Sequence, residues 1–395
     1  MGNFDNLPPD IILDILSRLQ TESVSECKLV CKSWRNQVRH PSFSRMQLTH
    51  LSDDPAGNLT FLLLKPYRYT EHQQIHYFEY DHEYETHRIR KINIKPPFDE
   101  NSGGYGIIGS VNGLICLNAC NDHTLFDYQP AYICNPVTKE YVIVPKLNRE
   151  MGGGDVNLRQ NFHDVYSGFG YLRSSNEYKV VRLDRRPNFE GVEVYTLGNG
   201  NGWRNVAGEY GIDLSVFTFV NDYGVFANET LHWITLDGKI VAFNLADENF
   251  CELPPLPCLS LADNVDLNFE IGILGGILWC SILDECTRKT DIWLLRKNGN
   301  QNMEEQDDYR SLTWCQEFGL VGMKPLALAK SGAVLCYSPT DLYSYDMNSS
   351  CFKKLVNFPR CICQATIPLR NTLIPHMNTL ISLKTLGEEE TKTME

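Results

Sequence analysis

Three stretches of this chain share one grammar, and that recurrence constrains the fold more than any single motif. They read "ICNPVTKEYVIVP", "AFNLADENFCELP" and "SYDMNSSCFKKLVNFP". In each, an Asn or Asp (Asn135, Asn244, Asp346) is followed six residues on by an aromatic (Tyr141, Phe250, Phe352) and then by a proline (Pro145, Pro254, Pro359). The physical sense is a β-hairpin. The Asn or Asp starts the turn through its own side chain, the strand returns with its aromatic inward, and the proline ends it because it has no N–H to give a ladder.

Between these units lie other strands, "EYKVVRL", "VEVYTL" and "TDIWLLRK", each followed by a later Trp in "WRNV" or "LTWCQEF". The shared units stand about 100 residues apart, so one unit spans about 50, the length of a kelch-type propeller blade. Blades then begin near residues 59, 107, 163, 216, 270 and 324, about six in all. The segments "QATIPLRN" and "NTLISLK" are expected to return to the first blade and close the ring, which removes exposed edges. A β-sandwich or an open β array is the alternative. Either way the fold class is multidomain: a small α-helical head followed by an all-β body. The expected boundaries are a head over 1–45, a linker over 46–58, the β domain over 59–385 and a disordered tail over 386–395.

The head is the part that cannot stand alone. In "LPPDIILDILSRL", Ile12, Ile15, Leu16 and Leu19 recur at helical spacing after Pro8 and Pro9, with Asp10 in the first turn to complement the helix dipole. Ser23 to Glu26 has the form of a capping box, and the run from Cys27 through Cys31 and Trp34 to Val38 continues a helical spacing until Pro41. Two or three short helices fit here. About 40 residues is near the lower limit for independent folding, so surplus apolar surface must meet the β body or another protein.

The same residues resemble an F-box. Leu7-Pro8, Asp10, Ile15-Leu16, Arg18-Leu19, Val30-Cys31-Lys32, Trp34-Arg35, and Pro41 with Phe43 fall in the order and spacing of that family's pattern. Gln20 and Ser25 depart from it, where plant members commonly carry Pro and Leu. The resemblance implies a partner, the Skp-type adaptor of a cullin–RING ubiquitin ligase. It implies that Phe4, Leu7, Pro8, Ile12, Leu16, Leu19 and Val24 face the adaptor, with Trp34 as the packing centre of the small domain. In the body, "GSVNGLICL", "YICNPVTKEY", "EYKVVRL" and "GVFANETLHWIT" are similar to the F-box-associated domain of plant F-box proteins. That likeness implies recruitment of a target protein for ubiquitination, by a chain that is not itself an enzyme.

Composition and the remaining motifs favour no other chemistry. A net charge of -13 without any basic cluster argues against a nucleic-acid partner. The N-terminus lacks a signal-peptide pattern, no run of about 18 apolar residues suits a membrane span, and Asn6 replaces the Ser or Thr of a myristoylation motif. The expected location is the cytoplasm or nucleus, where the 14 cysteines are buried thiols and the Asn58, Asn228 and Asn348 sequons are chance matches.

"GYGIIG" over 104–109 fits a dinucleotide fingerprint, but a strand follows it where a helix is required. His72, His76, His82 and His87 lack the spacing of a zinc site and read as solvated strand and loop residues; Cys116 with Cys120, and Cys361 with Cys363, lack that of a zinc ribbon. No cofactor or metal is therefore expected. The competing reading, a metal or cofactor enzyme built on the propeller, needs converging ligands that the pattern does not supply. Target recognition is expected in the insertions "LNREMGGGDVNLRQNFHD" and "NGNQNMEEQDDYR".

Overall fold

The computed structural model describes residues 7–40, 42–53, 59–64, 75–81, 86–92, 94, 105–119, 131–145, 165–185, 191–206, 214–257, 267–284, 289–297, 312–329, 331–338, 341–357 and 373–394. Phe4, His72, His82, Cys120, Pro359, Cys361, Cys363, "QATIPLRN" and both long insertions lie outside the described residues.

Four helices come first: α1 (Pro9–Ser17), α2 (Thr21–Val30), α3 (Lys32–Val38) and α4 (Phe43–Asp53). Strands follow in chain order. Blade 1 takes β1 (Leu59–Leu64), β2 (Ile75–Asp81) and β3 (Thr86–Lys91); blade 2 takes β4 (Tyr105–Val111), β5 (Leu114–Ala119), β6 (Tyr132–Asn135) and β7 (Glu140–Ile143). Blade 3 is β8 (Val165–Leu172), β9 (Glu177–Asp184), β10 (Gly191–Thr196) and β11 (Trp203–Asn205); blade 4 is β12 (Val225–Ala227), β13 (Thr230–Ile234), β14 (Ile240–Asn244) and β15 (Phe250–Glu252). Blade 5 is β16 (Leu267–Leu274), β17 (Ile277–Asp284), β18 (Lys289–Lys297) and β19 (Leu312–Val321); blade 6 is β20 (Lys324–Leu328), β21 (Val334–Tyr337), β22 (Asp341–Asp346) and β23 (Cys351–Asn357). Two further strands, β24 (Leu373–His376) and β25 (Lys392–Thr393), return to blades 1 and 2. The result is a six-bladed β-propeller of antiparallel blades.

The repeated grammar is the turn between the third and fourth strands of blades 2, 4 and 6. Asn135 Oδ1 accepts from the Val137 N–H at 2.9 Å, Asn244 Oδ1 from Ala246 at 2.7 Å, and Asp346 Oδ1 from Asn348 at 2.9 Å. Four residues after each of these caps the backbone enters the left-handed region, at Lys139 (φ 60°), Glu248 (φ 56°) and Ser350 (φ 53°). The side-chain cap and the turned backbone together reverse the chain, and the aromatics then meet across the hairpin. Phe243–Phe250 lie 4.8 Å apart and Tyr345–Phe352 4.6 Å apart. Such cross-strand pairs contribute roughly 0.2–1 kcal/mol each. Phe250 is buried, whereas Phe352 is half-exposed, so the expected inward aromatic holds in blade 4 and not in blade 6.

The interleaved Trp residues have a separate job. Trp203 of blade 3 donates its indole N–H to the Pro145 carbonyl at 2.7 Å, and Trp314 of blade 5 donates to the Pro254 carbonyl at 2.8 Å. Each outer-strand indole therefore bolts its blade to the proline that ends the preceding one. Two-residue hairpins link first and second strands at Asn112-Gly113, Asn228-Glu229 and Gly275-Gly276, with positive φ at both positions of each, as a type I′ turn requires.

Closure comes from far along the chain. β24 pairs with β1, with Leu373 opposite Leu63 and His376 opposite Thr60, so the innermost strand of blade 1 is supplied after blade 6. The "NTLISLK" segment does not pair with the first blade as expected. It lies beneath blade 2, where Asn135 Nδ2 donates to the Thr379 and Ile381 carbonyls, and Glu140 accepts from the Ser382 hydroxyl and the Leu383 N–H.

The expected disordered tail is corrected too. Glu388 is buried and accepts from the Tyr195 hydroxyl at 2.8 Å and the Gly198 N–H at 2.7 Å. β25 then adds a fifth strand to blade 2 against β7. A local reading of "GEEETKTME" misses this because every partner is distant in sequence.

Candidate functional site

The helical head is built around Leu16, Val24, Val38 and Phe43, with Ile12 beside them and Leu7, Leu13, Leu19, Cys27 and Trp34 packed at the margin. Full burial of side chains of this size is worth about 1.5–3 kcal/mol each. The centre is Phe43 with Leu16 and Val24. Trp34 is only partly buried, which corrects its expected place.

Three other expectations change. α2 starts at Thr21, with Gln20 as an N-cap that makes no side-chain bond, so Ser23 to Glu26 lie inside a helix and form no capping box. The helix then breaks at Cys31, whose backbone is extended (φ -155°, ψ 168°) and whose Sγ accepts from the Trp34 N–H at 3.4 Å, making it the cap of α3. Most of the expected linker is α4, held by Gln47, whose side-chain amide donates to the Leu19 carbonyl at 3.1 Å.

The head is fixed to the propeller from below. Leu380 belongs to the helical core, Val137 of the blade 2 turn packs against it, and Leu48 of α4 joins the core of blades 2 and 3. The Thr21 hydroxyl donates to the Asn378 carbonyl at 2.6 Å, and the Asn378 amide donates to Glu22 at 2.7 Å. The contact side of the ring carries the Asn112-Gly113 turn. A Cβ on Gly113 would come within 2.2 Å of the Thr379 hydroxyl.

This seam decides which residues remain available to a partner. Ile12, Leu16 and Val24, expected to face an adaptor, are buried inside the bundle; Leu7 and Leu19 are half-buried at its margin, and Pro8 is exposed. The apolar groups on the outside are others: Ile11 (48% exposed) and Ile15 (41%) on α1, and Leu29 (78%) and Val30 (66%) at the end of α2. The signal for them was present, since α1 carries two apolar stripes, Ile12/Leu16 and Ile11/Ile15. Nothing local says which stripe turns inward. Beside this face, Arg18 bonds Asp14 at 3.0 Å and holds its carboxyl below the usual carboxylate range. Burial pushes the Cys27 thiol up and the Lys28 ammonium down.

The motifs weighed against chemistry fall into structural roles. Residues 105–109 of the glycine motif lie in strand β4. His76 is buried in β2, contrary to the expectation of a solvated residue, while His87 is exposed on β3 and stacks on Phe78 at 6.0 Å. Among the described residues, no three His, Cys, Asp or Glu side chains converge to hold a metal.

A helical head bolted through blade 2 to a six-bladed ring, with aliphatic surface left outward on the head, defines a two-part interaction protein. Residues 64–307 match the family model of the F-box associated beta propeller domain, and residues 4–46 match that of the F-box domain. The chain belongs to the F-box-associated β-propeller family.

Its similar relatives are from Arabidopsis thaliana. F-box protein At3g07870 is 24% identical, over 90% of this chain and 88% of its own. Putative F-box protein At1g53550 is 28% identical over 76% and 69%, and F-box protein CPR1 is 25% identical over 74% and 70%. An F-box joined to this propeller is the organisation of a substrate-recognition subunit of an SCF ubiquitin ligase, a class that is generally non-catalytic. The F-box domain implies binding to a Skp-type adaptor.

Proposed function

We propose that this chain docks on a Skp-type adaptor through Pro8, Ile11, Ile15, Leu29 and Val30, and holds a target protein on its propeller for ubiquitination. The observation that supports it most is the division of the α1 surface. One stripe is consumed by the bundle core that Leu380 completes, and the other keeps large aliphatic side chains in water. Exposed apolar clusters of this kind mark interaction surfaces.

The contribution to ubiquitination is positional: holding two proteins on one rigid body raises the effective concentration of target lysines near the ubiquitin-carrying enzyme. Buried thiols at Cys116 and Cys134, neither in a disulfide, suit a reducing cytoplasm or nucleus. No bound nucleic acid or membrane is part of this reading.

The test is co-purification of the full chain with a Skp-type adaptor, comparing wild type with Ile11→Asp/Ile15→Asp. A carboxylate in place of each aliphatic group would have to be desolvated on docking, which costs several kcal/mol. Loss of the adaptor with an unchanged circular-dichroism melt is expected; retained adaptor binding by the folded variant refutes the assignment.

A further inference from the structure

The charges of the helical head are segregated. Between Glu26 and Asp53 the sequence has five Lys or Arg (Lys28, Lys32, Arg35, Arg39 and Arg45) and no Asp or Glu, in a chain of net charge -13. The Arg45 charge acts on Tyr171 of blade 3, and the other four gather at the corner where α2 ends and α3 begins. Lys32, Arg35 and Arg39 are spaced at i, i+3 and i+7, which puts them on one face of α3. Arg35 Nε donates to the Lys28 carbonyl at 3.0 Å and fastens that face to the end of α2. Burial first and the Arg39 charge second hold the Lys28 ammonium below its ordinary value, so those two cations are close enough to repel.

None of the four forms an ion pair among the described residues. Elsewhere, Arg18, Arg90, Arg204, Arg296 and Lys354 each meet a carboxylate. Like charges gathered without counter-charges raise the energy of the free chain, and the carboxylates of a partner relieve it. Leu29 and Val30, both exposed, lie between Lys28 and Lys32. An aliphatic centre with a polar, solvent-accessible rim is how a protein–protein interface is built. A bare polyanion would use the cations and leave both aliphatic groups in water.

We infer that Lys28, Lys32, Arg35 and Arg39 form the rim of the adaptor seat and that the adaptor surface they meet is acidic, its carboxylates flanking the apolar groups that cover Leu29 and Val30. This rests on the adaptor docking proposed above and supplies its electrostatics. Attraction that reaches about 10 Å at 0.1 M salt speeds the encounter, and it turns the basic corner, not the acidic remainder of the chain, towards the adaptor.

The test is the association rate of the full chain with a purified Skp-type adaptor, followed by surface plasmon resonance from about 50 to about 500 mM NaCl. For wild type the rate is expected to fall about tenfold or more across that range, with dissociation changing less. Lys32→Glu/Arg39→Glu, at two exposed positions, is expected to associate about tenfold or more slowly at low salt and to speed up as salt screens the new repulsion. Lys239→Glu/Lys353→Glu makes the same change in net charge at exposed positions of blades 4 and 6, and is expected to stay within about twofold of wild type.

Salt-independent association of wild type, or equal slowing by the two double variants, overturns the inference while adaptor docking stands. No adaptor binding by wild type overturns the docking reading and this inference with it. Binding of a DNA duplex of about 20 base pairs at about 0.15 M salt, lost in Lys32→Glu/Arg39→Glu, assigns the corner to a polyanion and also overturns it. Should that variant fail to fold, Lys32→Gln/Arg39→Gln and the wild-type salt series still decide.

Discussion

Acid should weaken the ring where it closes. His376 lies on closing strand β24, with its Nδ1 2.8 Å from the Ser110 hydroxyl of β4 and the Tyr77 ring 5.5 Å away. His232 of β13 has its Nδ1 3.2 Å from the Val225 carbonyl. Burial pushes both imidazoles down to about 4; the Asn378 bond to His376 and the Val225 bond to His232 oppose that only in part. In the unfolded chain both return to the ordinary value near 6.5. The unfolded state then binds the proton first, so their contribution is full above about pH 6.5 and is lost as pH falls towards 4.

From pH 7.5 to 5.0 the loss is about 2 kcal/mol per histidine, or about 4 kcal/mol for the pair. A whole domain is stable by about 5–15 kcal/mol, so the effect is large. The measurement is urea unfolding at both pH values for wild type and for His232→Gln/His376→Gln. Wild type should lose about 4 kcal/mol more between the two pH values than the double variant, which carries no imidazole at these sites. Equal losses would show that the two rings titrate normally in the folded protein, and the reasoning from burial would fail.

Other outcomes follow from the same geometry. Leu16→Ala, at a fully buried position, should cost 2–5 kcal/mol by thermal or urea unfolding, about what such cavities cost elsewhere, whereas Ile15→Ala should stay within about 0.5 kcal/mol. Trp314→Phe should cost about 1–3 kcal/mol in urea unfolding, because it strands the Pro254 carbonyl that the indole satisfies. Glu388→Ala should raise hydrogen exchange across 386–394, since that carboxylate accepts from both Tyr195 and Gly198.

What could be read beforehand is what local chemistry decides. Asn135, Asn244 and Asp346 announce their turns because an Asx side chain caps its own backbone, and the expected blade starts near 59, 107, 163, 216, 270 and 324 lie close to the observed blades. What could not be read depends on partners far away in sequence. Glu388 gives no sign that Tyr195 and Gly198 will donate to it; the Cys31 cap is local, but a thiol is a weak acceptor and not among the usual N-caps. The choice between Ile12/Leu16 and Ile11/Ile15 for the inward face of α1 is made by the packing of Val24, Val38 and Phe43 from the other helices, together with Leu380.

That dependence has a consequence for the order of synthesis. The contact between Thr21 and Asn378 joins residues 357 positions apart. At about 5–20 residues per second, roughly 20–70 s separate the emergence of the two partners from the ribosome. Until Leu380 arrives, the helical head lacks part of its core, and until Leu373–His376 arrives, blade 1 lacks its innermost strand. One returning segment completes both. A nascent or prematurely ended chain would therefore present an incomplete helical core together with an open ring, which couples completion of the head to completion of the propeller.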